Sequence, residues 1–323
     1  MSHLPGRKGT VPPRVVALGG GHGLFASLSA LRRVSDELTA IVTVADDGGS
    51  SGRLRRQLGV IPPGDLRMAL AALCGDDDWG TTWSRVVQHR FGGDSELSGH
   101  AVGNLLIVAL WELLGDTVEG LDWVGRLLGA HGRVLPMAAV PLDITATVEG
   151  ADPDRPYELS TVHGQYSCAT TQGLIRSIAL VPPAPAARPE AVAAVREADW
   201  VVLGPGSWFT SVLVHLLVPE LAGAVVSTRA RRVVVLNVAP QDKESEGRSP
   251  SALLEVLADH APGLRADVVL ADLQHTSGAG GLEKAAALLG ARLAFADVAM
   301  GDGSPRHDPV RLAQAYAQIF EGE

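Results

Sequence analysis

At 323 residues and 46% hydrophobic, the chain has enough apolar side chains for a full buried core, in one large domain or two. Aromatics are only 4%, so that core must be built from Val, Leu, Ile and Ala, which favours parallel strands under helices over an all-β fold. A net charge of −9, with three lysines among 27 basic residues, leaves no footprint for nucleic acid, and Cys74 and Cys168 support neither a disulfide framework nor a zinc site.

Residues 1–13 are polar and rich in Pro and Gly, and are expected to be a disordered start rather than a signal peptide. Residues 14–323 read as a single α/β domain. Strand-type runs follow at Val15–Leu18, Ile41–Ala45, Trp200–Leu203, Val233–Val238, Val268–Ala271 and Leu293–Val298, with helical periodicity filling most of the intervals, which is a doubly wound pattern. Between about 65 and 130 the sequence instead predicts consecutive helices (Leu66–Leu73, Trp83–His89, Val102–Leu114, Leu121–Leu128), a helical insertion over the sheet edge. From 133 to 181, alternating runs such as Leu142–Val148 and Leu174–Val181 predict a small antiparallel segment. The proline-rich stretch 182–189 is a stiff linker that returns the chain to the main sheet at a helix over Glu190–Glu197. The most apolar helix, near Ala101–Leu114, is interrupted by Asn104 and Glu112 and is too short to span a bilayer, so no membrane insertion and a cytoplasmic location are expected.

Two strand-to-loop junctions carry the chemistry. The first strand opens into Gly19-Gly20-Gly21-His22-Gly23, and the second into Asp46-Asp47-Gly48-Gly49-Ser50-Ser51-Gly52-Arg53. A parallel sheet places both at the carboxyl ends of its strands, where open α/β folds bind ligands. Glycines admit close approach, and the following helix aims free N–H groups and its positive dipole end at an anion, best a phosphate or diphosphate. Asp46 and Asp47 lie where dinucleotide folds place a ribose-binding carboxylate. Alternatively they hold Mg²⁺ beside a diphosphate, or only cap a helix. Gly48–Gly52 spells G-x-S-x-G with Ser50 as a nominal nucleophile and His275 or His307 as the base, but the serines, with Arg53, serve equally well as phosphate donors.

Asp65 in Pro62-Pro63-Gly64-Asp65 is a natural N-cap, and Arg67 near that helix start requires an anion or a carboxylate to face. His100 and Asn104 open the apolar helix, where a buried Asn needs a partner. A second glycine turn, Gly204-Pro205-Gly206-Ser207, follows the Trp200–Leu203 strand and precedes a helix expected from about Ser207. Asn237 ends the next strand, and Arg306, before the Asp308 cap of the last helix, is unexplained by capping.

Taken in order, Leu18–Leu24, Val42–Leu54, Pro62–Arg67, Gly99–Leu105 and Leu203–Ser207 resemble the gluconeogenesis factor family, the YvcK-like branch of the CofD-like proteins, over nearly the whole chain from Val15. The resemblance implies a Rossmann-like three-layer α/β/α sandwich with a mostly parallel sheet. It implies a cytoplasmic protein of cell shape and wall synthesis on gluconeogenic carbon that binds UDP-sugars such as UDP-N-acetylglucosamine, with no required cofactor, no catalytic residue and wall-synthesis or regulatory-kinase partners. Gly20–Gly23 and Gly204–Ser207 would hold the diphosphate, Asp46 or Asp47 the ribose, and Asn104, Asn237 or Arg306 the uracil or sugar. The rival readings are a Mg²⁺-dependent transferase like 2-phospho-L-lactate transferase, with the metal on Asp46 and Asp47, and an NAD-type dinucleotide binder. His22 and Met68 depart from the residues common in the family. A homodimer is the default for such folds.

Overall fold

A computed structural model describes residues 12–239 and 243–322. The segment 1–13 expected to be disordered lies outside these residues except for its last two. The first half runs β1 (Arg14–Gly19), α1 (Gly21–Leu31), β2 (Glu37–Val42), α2 (Gly49–Leu58), α3 (Gly64–Ala72), α4 (Asp78–Gln88), α5 (Val102–Leu114), α6 (Thr117–Leu128) and β3 (Arg133–Pro136). Next come β4 (Asp143–Glu149), β5 (Leu159–His163), α7 (Gln165–Thr170) and β6 (Leu174–Val181). The chain then continues through α8 (Pro189–Glu197), β7 (Trp200–Leu203), α9 (Pro219–Ser227), β8 (Arg231–Val235), α10 (Pro250–His260), β9 (Val268–Asp272), α11 (Ala279–Leu288), β10 (Arg292–Ala296) and α12 (Pro309–Glu321).

Seven strands form one parallel sheet in the order β10-β9-β8-β7-β1-β2-β3. All four residues of β7 and all five of β9 are buried, the continuous apolar runs of strands covered on both faces. Helix α1 packs on α3 and α12, while α8 packs on α9 and α10 on α11. Chain order runs one way from β1 to β3 and the other way from β7 to β10, so right-handed crossovers put these helix groups on opposite faces. This is the Rossmann-like sandwich expected. Strands β5-β4-β6 form the separate antiparallel sheet, and β4 buries alternate residues.

Beyond shifts of a few residues in the bounds of α4, β8 and β10, four details differ from the sequence reading. Residues 133–136 do not belong to the antiparallel segment: β3 pairs parallel with β2 as the edge of the main sheet, under α3 and α6. Its four residues are too few to show a period, and Pro136 fits an edge, where a missing N–H costs no ladder bond. Strand β2 begins earlier, at Glu37, and ends at Val42. The helix expected from Ser207 is a π-helical turn, Trp208–Val212, followed by a 3-10 turn, Leu213–Leu217. Pro219 disfavours helical geometry at Val218, so α9 starts afresh there. Strand β5 and helix α7 were invisible in the sequence because β5 buries none of its residues fully.

No single described helix is long and apolar enough to cross a membrane.

His215, wholly buried in the 3-10 turn, donates from Nε2 to the Ile41 carbonyl of β2 at 3.1 Å. Burial pushes its pKa down to about 4. The stabilisation conferred by the neutral ring is therefore complete above the ordinary histidine value of about 6.5 and is lost as pH falls toward 4. Thermal melts at pH 7 and pH 4.5 should show a larger loss for the wild type than for His215→Gln, which keeps a donor but cannot titrate.

Candidate functional site

The sheet order changes direction between β1 and β7, and the loops after these two strands flank that switch point. They are in backbone contact. A Cβ at Gly23 would overlap the Pro205 carbonyl and stand 2.5 Å from Gly206 Cα, so only glycine lets the two turns meet. Asn237 fixes the second turn from β8: its Oδ1 accepts from the Gly206 N–H at 2.9 Å, and its Nδ2 donates to the Gly206 carbonyl at 2.8 Å. One donor and one acceptor of that amide are thereby engaged, so Asn237 shapes the Gly204–Ser207 loop.

Helices α1, α2, α3 and α5 all begin around this point, and none has a side-chain cap at its N-cap residue. Helices α4, α6, α10 and α12 are each closed by an Asp or Ser, while α7, α8, α9 and α11 lack such a cap too, so what sets this region apart is that four uncapped ends gather in it. Uncapped N-termini leave free N–H groups and positive dipole ends, which favour an anion.

One anion is already present in the chain. Asp65 is not the N-cap of α3, a position taken by Pro63; it lies inside the helix, with its carboxyl hydrogen-bonded to the Gly21 N–H at the start of α1. Burial, then the neighbouring Asp46, push its pKa up to about 7. Asp46 accepts from the Gly48 N–H at 2.9 Å and from Ser51, and burial raises its pKa as well. Asp47 turns away: its Oδ1 accepts from the Tyr166 N–H at 3.0 Å, tying the antiparallel segment to the end of β2. The three carboxyls do not converge, and no group of three metal-ligating side chains forms among the described residues.

Arg67 faces these acids. It is 4% exposed, yet its Nε and Nη1 have no hydrogen-bond partner. Burial, then Arg90, lower its pKa to about 10, against the opposing pull of Asp65 and Asp46. Gly103 makes room for the stem, since a Cβ there would sit 2.8 Å from Arg67 Cγ. A buried guanidinium with idle donors is costly unless an anion reaches it.

Ser50 is a hub. Its Oγ lies 3.0 Å from His100 Nδ1, accepts from Asn104 Nδ2 at 3.0 Å, and accepts from the Ala101 N–H at 3.4 Å. The histidine beside Ser50 is therefore His100. His275 bonds the Asn237 carbonyl, and His307 is buried against the Leu236 backbone. Arg53 is tethered to the Ser98 carbonyl at 2.6 Å.

Of the residues singled out in sequence, Gly20, Gly21, Gly23, Asp46, Ser50, Ser51, Asp65, Arg67, His100, Asn104, Gly204, Pro205, Gly206 and Ser207 lie along this one region, and His22 is exposed beside it. Arg306 is not brought in: it bonds Asp302 and Ser304 of its own exposed turn after β10, three strands from β7. Two clefts of about 540 and 480 Å³ lie elsewhere, between α8 and α9 and at the amino ends of β1 to β3, so cavity size does not locate the site.

The family model described as 2-phospho-L-lactate transferase CofD matches residues 15–288. A Mycobacterium leprae protein bearing the gluconeogenesis factor name is 51% identical over 314 residues, covering 96% of this chain and 87% of its own. The chain belongs to the gluconeogenesis factor family of CofD-like proteins. The Listeria monocytogenes gluconeogenesis factor is 40% identical over 252 residues, which cover 77% of this chain and 74% of its own. A UPF0052-family crystal structure from Bacillus halodurans shares the fold with a TM-score of 0.82 at 32% identity, over 95% of this chain and 99% of that one.

Sequence reasoning passed over three residues that build the site. Thr43 packs its methyl group where a Cβ on Gly20 would go, Glu244 accepts from the Phe209 N–H beneath the second turn at 3.0 Å, and Tyr166 offers the N–H that holds Asp47. A polar residue after the apolar run of β2 was a visible signal for Thr43; the other two depend on tertiary contact alone.

Gly23→Ala should cost about 1–3 kcal/mol in denaturant unfolding, the usual price of overpacking against backbone that has no room to move. Asp65 has its folded pKa raised above the ordinary carboxylate value, so it favours the fold at low pH and opposes it increasingly as pH rises toward 7. Asp65→Asn should therefore gain stability over the wild type at pH 8, by about 1–3 kcal/mol, and match it closely at pH 4.

Proposed function

We propose that this family member is a cytoplasmic, non-catalytic regulatory protein that binds a nucleotide-sugar of the UDP-N-acetylglucosamine type at the β1/β7 switch point and acts in cell shape and wall synthesis on gluconeogenic carbon. The observation that carries the binding reading is Arg67: a buried guanidinium with two idle donors, among four helix N-termini that lack caps. Together they ask for more negative charge than Asp65 supplies, and a diphosphate provides it. Gly20–Gly23 and Gly204–Ser207 supply backbone donors. The gluconeogenic part of the reading is supported by the relatives' names, and the wall-synthesis part by the sequence resemblance alone.

A second reading, a Mg²⁺-dependent transferase, is favoured by the row Asp65, Asp46, Asp47, in which each carboxyl feels the next. Asp46 with Asp65 are the residues that would hold the ion, since Asp47 is committed to Tyr166, and magnesium is commonly bound by two carboxylates plus substrate phosphates. The same commitment of Asp47 leaves Asp46 as the carboxylate for a ribose contact, in the NAD-type and the nucleotide-sugar reading alike.

Isothermal titration calorimetry with UDP-N-acetylglucosamine, NAD and GDP, with and without Mg²⁺, tests these readings. Micromolar UDP-sugar binding without product formation is expected. Arg67→Gln should weaken it at least tenfold, as loss of charge-assisted bonds worth about 1.5–3 kcal/mol requires. Heat from continuing turnover only with Mg²⁺ would replace the regulator by the transferase.

A further inference from the structure

The nucleotide-sugar reading leaves a buried side-chain acceptor of α5 unused. Asn104 is 1% exposed, and its Oδ1 has no hydrogen-bond partner. In the structure Nδ2 donates to Ser50 Oγ, which also receives the Ala101 N–H, and with the amide turned this way the hydroxyl proton goes to His100 Nδ1. His100 can accept there only as the neutral ring, and burial together with Arg53 does lower its pKa. The amide is thus held with its carbonyl turned away from Ser50. The adjoining residue, Gly103, packs on the stem of Arg67, whose Nε and Nη1 are likewise buried and idle. An unpaired acceptor on α5 and an unpaired cationic donor set on α3 are thus both buried, each residue under a twentieth exposed, where Gly103 seats the two helices against each other.

We propose that Arg67 and Asn104 form a two-part subsite that takes a phosphate oxygen of the nucleotide-sugar on the guanidinium and, next to it, a hydroxyl or amide N–H of the same ligand on Asn104 Oδ1, with Ser50 and His100 as positioning residues that fix the amide. The inference rests on the nucleotide-sugar reading and adds to it a demand: the ligand must carry a hydrogen-bond donor close to its phosphate. A site built to bond such a donor rejects an analogue without it, because the buried acceptor is then left unpaired. Other polar contacts here do not discriminate in this way, since backbone N–H groups bind any phosphate.

The test compares UDP-N-acetylglucosamine, UDP and 2′-deoxy-UDP by calorimetry on the wild type, Asn104→Leu and Ser50→Ala, with thermal melts to confirm folding. Asn104→Leu keeps the volume and removes the acceptor. It should cut at least one of two wild-type preferences by about tenfold: UDP-N-acetylglucosamine over UDP if the donor is on the sugar, or UDP over 2′-deoxy-UDP if it is the ribose hydroxyl. Ser50→Ala, which frees the amide to turn, should cut the same preference by a smaller factor and keeps the test open if Asn104→Leu does not fold. Ratios within twofold of wild type in the folded variants, whether or not overall affinity falls, would overturn the subsite while leaving nucleotide-sugar binding intact. Failure of the wild type to bind any UDP compound would overturn the nucleotide-sugar reading and the subsite with it.

Discussion

The contact of Gly23 with Gly206 sets the geometry of everything around it. Two turns from neighbouring strands can touch backbone to backbone only if neither carries a side chain at the meeting point, and the Asn237 amide then holds the second turn at its peptide group. Once the turns are fixed, the directions of α1 and of the π-helical turn are fixed with them. The N–H groups at the head of α1 then face Asp65, and Arg67 comes up one helical step behind. A bulkier residue at either glycine would move charged groups as well as backbone.

The charge arrangement costs the fold stability. Burying Asp65, Asp46 and Arg67 together, with donors of the arginine unmatched, is poorer for the apo protein than an apolar cluster of the same volume would be. Departures of this kind from local optimisation concentrate where a protein meets its ligand. Two buried polar groups away from the site are instead well matched: Arg232 donates to the carbonyls of Val225, Val226 and Thr228, and Asp272 accepts from Gln274, Val298 and Ala299.

Much of this was legible in the sequence where local chemistry decides the outcome. Leu174–Val181, Trp200–Leu203 and Val102–Leu114 have the bounds their periodicity predicts, and Asp308 with Pro309 starts α12 as its cap chemistry requires. Glycine turns after apolar strands marked both halves of the site. What stayed hidden was the outcome of competition at a distance. Asp65 has the residue type and position of an N-cap but is drawn to Gly21, more than forty residues earlier. Asn237 looks like a polar rim and is spent on Gly206, and Arg306 belongs to its own turn. His100 is the partner of Ser50 although His275 and His307 had the chain order of a hydrolase base. In each case the residue type was read correctly and the partner was not, because partner choice is set by packing.

The neighbours β1 and β7 lie far apart along the chain, and Arg14 takes the Asp199 carboxylate across 185 positions. During synthesis β1, β2 and β3 emerge early, with β1 presenting a long unpaired edge until β7 has been made. Contacts of such high sequence separation close late and slowly, because loop-closure entropy must be met before they contribute. Until then the first half leaves an apolar strand edge open, the kind of edge that native proteins cover. The candidate site, shared between the two halves, comes into being only when the second of them docks.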